Sequence, residues 1–182
     1  MAKVILTAML ALSVCCLAQQ TRREVVRHGT NPADDRKPNR PNVPDARTFN
    51  VHLERLLVLR LKYNTDLLAE INKMVQQEKV RNAVILSGLG SVRNYQVHQV
   101  GNRDLPPKNI LVKDPTAPAD IIGMSGVVIS GRVHAHITLA NADRAFGGHL
   151  EPDTTVFTFA VVTLSVLDDS VDLSTIDDWN YR

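Results

Sequence analysis

The sequence is short of cysteine, of aromatic side chains and of net charge. Its 182 residues include two cysteines, Cys15 and Cys16, which are adjacent near the N-terminus. The rest of the chain therefore has no disulfide and no thiolate, so a metal ion there must be bound through nitrogen and oxygen atoms. Aromatic residues make up 4% of the chain, which leaves the core to valine, leucine, isoleucine and alanine.

The low net charge argues against a polyanionic partner. The chain has 21 lysines and arginines against 19 aspartates and glutamates, a formal net charge of +2. Nucleic-acid-binding domains usually concentrate basic side chains on one face, so this composition disfavours a nucleic-acid partner. A hydrophobic share of 44% is ordinary for a soluble globular protein, and the length fits one domain with appendages.

Residues 1–18 have the three-part pattern of a secretory signal. Lys3 gives a positive start, the run that follows as far as Ala18 is apolar and uncharged, and polar residues come next. The run is short for a membrane span, so we expect cleavage after Ala18 and export to the periplasm or another extracytoplasmic location. A lipoprotein signal is an alternative, in which a lipid on Cys15 or Cys16 would attach the protein to a membrane. Retention of the segment as an anchor is the other.

The remaining chain divides by composition into three parts. Residues 19–52 are rich in proline, arginine and asparagine and predict a flexible linker. Residues 53–168 carry the apolar patterns of a folded domain, and residues 169–182 form an acidic tail.

The domain is predicted to be rich in strands, with one helix early in the chain. Apolar runs and alternating patterns predict strands at residues 56–61, 83–86, 95–100, 126–140 and 155–167. The helix follows the first strand, with Asn64 or Thr65 as its N-cap and Asp66 in its first turn. The glycine-rich stretch Ser87–Ser91 is predicted to be a tight turn between strands.

Three histidines form the most informative pattern in the chain. His134 and His136 lie on one face of a predicted strand, with Cα atoms roughly 6.5–7 Å apart, so both rings can reach one ion. Gly147 and Gly148 permit backbone shapes closed to other residues and could bring His149 back to the same place. Asp143, in the turn between them, is a candidate outer partner or proton acceptor.

Three imidazoles and one water form a standard open zinc site, and histidine also suits iron and nickel. An ion held there would lower the pKa of its water to about 7 in favourable cases and generate a nucleophile. The alternative is that the histidines make surface or interface hydrogen bonds without a metal. His28, His52 and His98 are isolated in the sequence and receive no role.

The same residues resemble the PPC domain, the plants-and-prokaryotes conserved domain. The resemblance rests on Ala83–Ser91, Gly131–His136, the turn at residues 139–143 and Gly147–Leu150. It implies a compact single α/β (α+β) domain, with a mostly antiparallel mixed sheet, one main flanking helix and assembly as a homotrimer. It also implies a metal site at His134, His136 and His149. The chain departs from the family at Asp153, where glycine is common, and at Val161, where glutamate is common.

Four functional hypotheses follow. The first is an exported trimeric protein that binds a divalent metal, zinc before iron or nickel, together with an undefined small-molecule ligand. The others are a metal-assisted hydrolase or lyase, a DNA-binding protein of the PPC family, and an assembly module whose histidines stabilise subunit contacts. The DNA-binding hypothesis is disfavoured because the chain lacks the AT-hook that plant members have.

Overall fold

The structure is a computed structural model that describes residues 24–26, 41–103 and 107–177, with the backbone alone described at 24–26. The predicted signal segment 1–18 lies outside these residues. Within the described ranges, no helix has the length and apolar character needed to cross a membrane.

Eight strands and one helix make up the described fold. In chain order they are β1 (Glu24–Val26), β2 (Leu53–Lys62), α1 (Leu67–Gln77), β3 (Asn82–Val100), β4 (Asn109–Asp114), β5 (Ala119–Ile129), β6 (Arg132–Ala140), β7 (Ala145–Leu150) and β8 (Thr155–Leu167). All pairings between these strands are antiparallel. The expected compact α+β fold, an antiparallel sheet flanked by one main helix, is confirmed.

Strand β3 organises the sheet because it pairs with four other strands. Its first part lies between β5 and β8, and its last part lies between β4 and β7. Since β5 pairs with β6 and β6 pairs with β7, the sheet returns to β3 and forms a closed ring. The ring closes through two residue pairs, Val97 with Leu150 and His98 with His149.

The prediction of a turn at Ser87–Ser91 is wrong, because β3 runs through this stretch without reversing. The ladder to β8 shifts register on either side of it, between Ile85 and Ser87 and between Gly90 and Val92. Gly90 has φ 133°, and a Cβ there would lie 2.1 Å from the carbonyl oxygen of Phe159. Glycine is needed here for the close approach of β8 rather than for a turn.

The helix is capped by Asp66, not by Asn64 or Thr65. One carboxylate oxygen of Asp66 accepts a hydrogen bond from the backbone N–H of Ala69, and the other accepts one from the backbone N–H of Asp153, each at 2.7 Å. Three successive polar residues made the cap ambiguous in the sequence, and only the one whose side chain points back at the first turn can serve. Leu67, Ile71 and Val75 form the buried face of α1 and pack into the core of the sheet.

The two departures from the family pattern have different structural settings. Asp153 has φ 67°, a left-handed conformation that glycine adopts most easily and that aspartate tolerates better than most residues. Val161 lies opposite Leu89 of β3. Val161 is part of β8, which pairs with β2 and β3 and not with β6 or β7, the strands of His134, His136 and His149.

Segments on both sides of the predicted domain contact the sheet. Residues 24–26, within the predicted linker, pair with residues 111–113 of β4. In the predicted acidic tail, Leu173 is 2% exposed. The described parts of both appendages therefore add to the fold.

Candidate metal centre

Strand β6 presents its histidines on the side opposite the core, as its alternation predicts. Ala135, Ile137 and Leu139 are buried, whereas His134 is half-buried and His136 is exposed. The apolar side chains fix the strand against the core, which fixes the direction in which both imidazoles point.

A tight hairpin brings His149 opposite His136. The turn between β6 and β7 is closed by Asn141, whose side-chain oxygen accepts hydrogen bonds from the backbone N–H groups of Asp143 and Arg144. The register then places His136 directly across from His149. Asp143 is in the turn, and the strand between it and His136 corresponds to about 13 Å, so it is not a partner of the histidines.

The paired glycines act differently from expectation. Gly147 and Gly148 are part of β7, and neither has a left-handed φ. A Cβ on Gly147 would lie 2.0 Å from the carbonyl oxygen of Ile137, and one on Gly148 would lie 2.3 Å from that of His98. These glycines therefore let β7 fit tightly between β6 and β3, and this fit carries His149 to the cluster.

The three predicted side chains lie together. One ligand atom from each of His134, His136 and His149 falls within 4.8 Å of the other two, and the Nε2 atoms of His134 and His136 are 3.3 Å apart. The His149 ring makes edge contacts with both others, at centroid distances of 4.8 and 5.3 Å. Two nitrogens bound to one tetrahedral zinc at 2.0–2.1 Å would be separated by about 3.3–3.4 Å, so this spacing fits the ion.

The electrostatics favour neutral imidazoles, the form that binds metals. The pKa of His149 is lowered to about 4, mainly by burial and then by the neighbouring His98, His134 and His136. The pKa of His136 is also lowered, mainly by burial and then by His134 and His98. At neutral pH both rings therefore keep a nitrogen lone pair available for coordination.

Two further residues, His98 and Glu151, belong to the cluster, although the sequence patterns assign neither of them a role. The β3–β7 pairing places His98 beside His149, and their rings stack at a centroid distance of 4.4 Å. Nδ1 of His98 contacts a carboxylate oxygen of Glu151. His98, His149 and Glu151 form a second set of ligand atoms within 4.8 Å, which shares His149 with the first. Glu151 follows His149 by two residues, a spacing that puts both side chains on one side of an extended segment, so the sequence offers a signal for Glu151. Nothing near His98 in the sequence connects it to the cluster.

Asp177 reaches the cluster from the C-terminal segment. Its Oδ2 lies 3.5 Å from Nδ1 of His134, the ring nitrogen not directed at His136.

Comparison with known proteins agrees with this architecture. Residues 50–168 match the model of the Plants and Prokaryotes Conserved (PCC) domain, the family that the sequence motifs resemble. The chain belongs to this family. It is also 27% identical over 115 residues to the bifunctional protein GlmU of a Synechococcus strain. That match covers 61% of the present chain but spans 17% of the relative.

Solved structures share the PCC fold. A metal-containing protein of Archaeoglobus fulgidus has a TM-score of 0.57 at 24% identity, covering 71% of this chain and 95% of the other. A plant- and prokaryote-conserved protein of Pyrococcus horikoshii also has a TM-score of 0.57 at 24% identity, covering 70% and 89%. A candidate DNA-binding protein of Bacteroides thetaiotaomicron has a TM-score of 0.52 at 14% identity, covering 67% and 86%. At these identities the likeness concerns the fold alone.

Proposed function

We propose that this PCC-domain protein binds one divalent transition-metal ion through His134, His136 and His149. Zinc is the first candidate, and iron and nickel are the alternatives that imidazole ligands also suit. The observation that carries the proposal is the convergence of three imidazoles with two Nε2 atoms 3.3 Å apart, the separation expected of two ligands on one tetrahedral ion. The metal-containing fold relative from Archaeoglobus fulgidus is compatible with it.

The ion would have an open position that a small molecule can reach. Three protein ligands leave a fourth tetrahedral position for water or a ligand, and His136 is exposed on the surface. When bound, the metal supplies Lewis acidity and lowers the pKa of its water. Stacking with His98, which contacts Glu151, restricts the orientation of the His149 ring. The arrangement is suited to binding a small ligand at the ion, and hydrolase or lyase chemistry would require the same open position.

Metal analysis with matched variants tests the site. The purified wild-type protein is expected to retain about one metal ion per chain by mass spectrometry. His134→Ala and His149→Ala are expected to lose it, whereas His52→Ala, which removes a histidine outside the cluster, should retain it. Equal metal content in the wild type and in the two cluster variants would rule out this site.

We further propose that the protein assembles as a homotrimer through an exposed apolar face. The face is formed by side chains of three adjacent strands, β2, β8 and β3. Its members are Leu56, Val58, Leu86, Leu89, Phe157 and Phe159, each between 38% and 68% exposed. Large apolar side chains exposed on adjacent strands of one sheet are typical of a protein–protein contact, which supports self-association.

Light scattering after size-exclusion chromatography tests the assembly. Val58→Asp places a charge within the apolar face and is expected to reduce the mass from three chains to one. Val100→Asp, an exposed valine at the far end of β3, is the control and should remain trimeric. A wild-type mass of one chain would contradict the proposal.

We also propose export directed by residues 1–18. N-terminal sequencing of the protein from its native host is expected to begin at Gln19, or to show a lipidated Cys15 or Cys16. An intact N-terminus on cytoplasmic protein would contradict export, and would revive the nucleic-acid hypothesis that the near-balanced charge disfavours.

A further inference from the structure

The C-terminal segment after β8 follows a defined path over the domain. The backbone N–H of Asp168 donates a hydrogen bond to the carbonyl oxygen of His52, and the Asn82 side chain donates one to Asp169. Leu173 is buried, and the backbone N–H of Ile176 donates a hydrogen bond to its carbonyl oxygen in a turn. The segment is therefore anchored at several points before it reaches Asp177.

This path reaches the histidine cluster at Asp177. Oδ2 of Asp177 lies 3.5 Å from Nδ1 of His134, and the carboxylate side chain is 19% exposed against 40% for the imidazole. On the other edge of the same ring, Nε2 lies 3.3 Å from Nε2 of His136. The two nitrogens of His134 thus have different neighbours, a carboxylate on one side and the candidate ligands on the other.

We propose that Asp177 is a positioning residue for the metal site and that it acts through His134. The inference rests on the proposed three-histidine metal site. Asp177 lies beyond residues 50–168, which match the family model, so it is a contribution of this chain's own C-terminal segment.

Two physical effects give Asp177 this role. A carboxylate beside Nδ1 favours the tautomer in which that nitrogen has the proton, which leaves the Nε2 lone pair directed at the ion. The carboxylate also brings a negative charge to a set of three neutral ligands. Partners of this kind typically contribute 10- to 100-fold to metal affinity.

Zinc affinity of the full-length protein, measured by competition with a chromophoric chelator, tests the inference. Asp177→Ala is expected to raise the zinc Kd about 10- to 100-fold, whereas Asp177→Glu should restore most of the affinity. Asp172→Ala is the matched control: it removes the same charge from the same segment, but this exposed side chain accepts a hydrogen bond from Ser174. It should change the Kd by less than about threefold, since exposed charges are largely screened.

A spectroscopic readout separates positioning from general loss of structure. Long-range ¹H–¹⁵N spectra of the metal-free protein are expected to show the His134 proton mainly on Nδ1 in the wild type and in Asp172→Ala. Asp177→Ala should lose this bias.

The possible failures are distinguishable. Wild-type zinc binding with an unchanged Kd in Asp177→Ala, or an equal loss in Asp172→Ala, would overturn this inference and leave the proposed site intact. A wild-type protein that binds no zinc would overturn both.

Discussion

Replacing Gly148 with alanine tests how β7 carries His149 to the cluster. The added Cβ would lie 2.3 Å from the carbonyl oxygen of His98 and 3.1 Å from its carbon, where ordinary contact begins near 3.4 Å. Strands β7 and β3 would have to separate by about 1 Å, and overpacking of this kind typically costs about 1–3 kcal/mol. Zinc binding should weaken as well, because the displacement disturbs the stacking of His98 on His149 that orients this ligand, and metal–ligand distances tolerate only about ±0.2 Å.

Urea denaturation and zinc titration of the same protein measure the two effects. Gly123→Ala is the matched control, because the nearest atom to its added Cβ is Cβ of Thr138 at 4.0 Å and its φ is not left-handed. It should leave the zinc Kd unchanged and cost less than Gly148→Ala, since it meets no close neighbour. A Gly148→Ala protein as stable as this control, with wild-type zinc affinity, would refute the close-approach argument.

Three further predictions concern pH, the helix cap and metal removal. Since the pKa of His149 is about 4 in the folded chain against an ordinary 6.5, the unfolded chain takes up a proton first. Urea denaturation of the metal-free protein should therefore show stability falling as the pH drops from 6.5 towards 4, and His149→Gln should reduce that slope. Asp66→Ala removes both oxygens that accept hydrogen bonds from Ala69 and Asp153, and should lower the unfolding free energy by about 1–2 kcal/mol; an unchanged denaturation midpoint would exclude this cap. Zinc at 100 times its Kd should raise the unfolding free energy of the wild type by at most about 2.7 kcal/mol, with reversal by a chelator and no gain in His134→Ala.

The parts of the site that the sequence predicted are those set by local geometry. Alternation along β6 places His134 and His136 on one face, and a short hairpin is enough to bring His149 opposite them. His98 and Asp177 arrive by the pairing of β3 with β7 and by the docking of the C-terminal segment. Both contacts join residues that are far apart in the chain. The periodicity of a short stretch of sequence cannot predict such contacts.

The same distinction explains the results for the fold. The apolar patterns of β2, β8 and the helix are periodic, so the sequence predicts these elements, and β8 has the predicted bounds, Thr155–Leu167. The glycines of Ser87–Ser91 predict a turn because glycine usually marks turns. In β3, however, Gly88 and Gly90 leave space for Met124 and for the backbone of β8, a requirement set by neighbouring strands.

The position of all three candidate ligands within one hairpin has a consequence for the denatured state. His134, His136 and His149 all lie within β6, β7 and the turn between them, so an otherwise unfolded chain can bring the three imidazoles together, without the support of β3, whenever residues 132–150 transiently pair. Zinc would then stabilise the denatured ensemble as well as the native one, and the gain in unfolding free energy would be smaller than native-state affinity alone implies. Asp177 is joined to the site only in the finished fold, so its contribution to zinc affinity would favour the native state specifically.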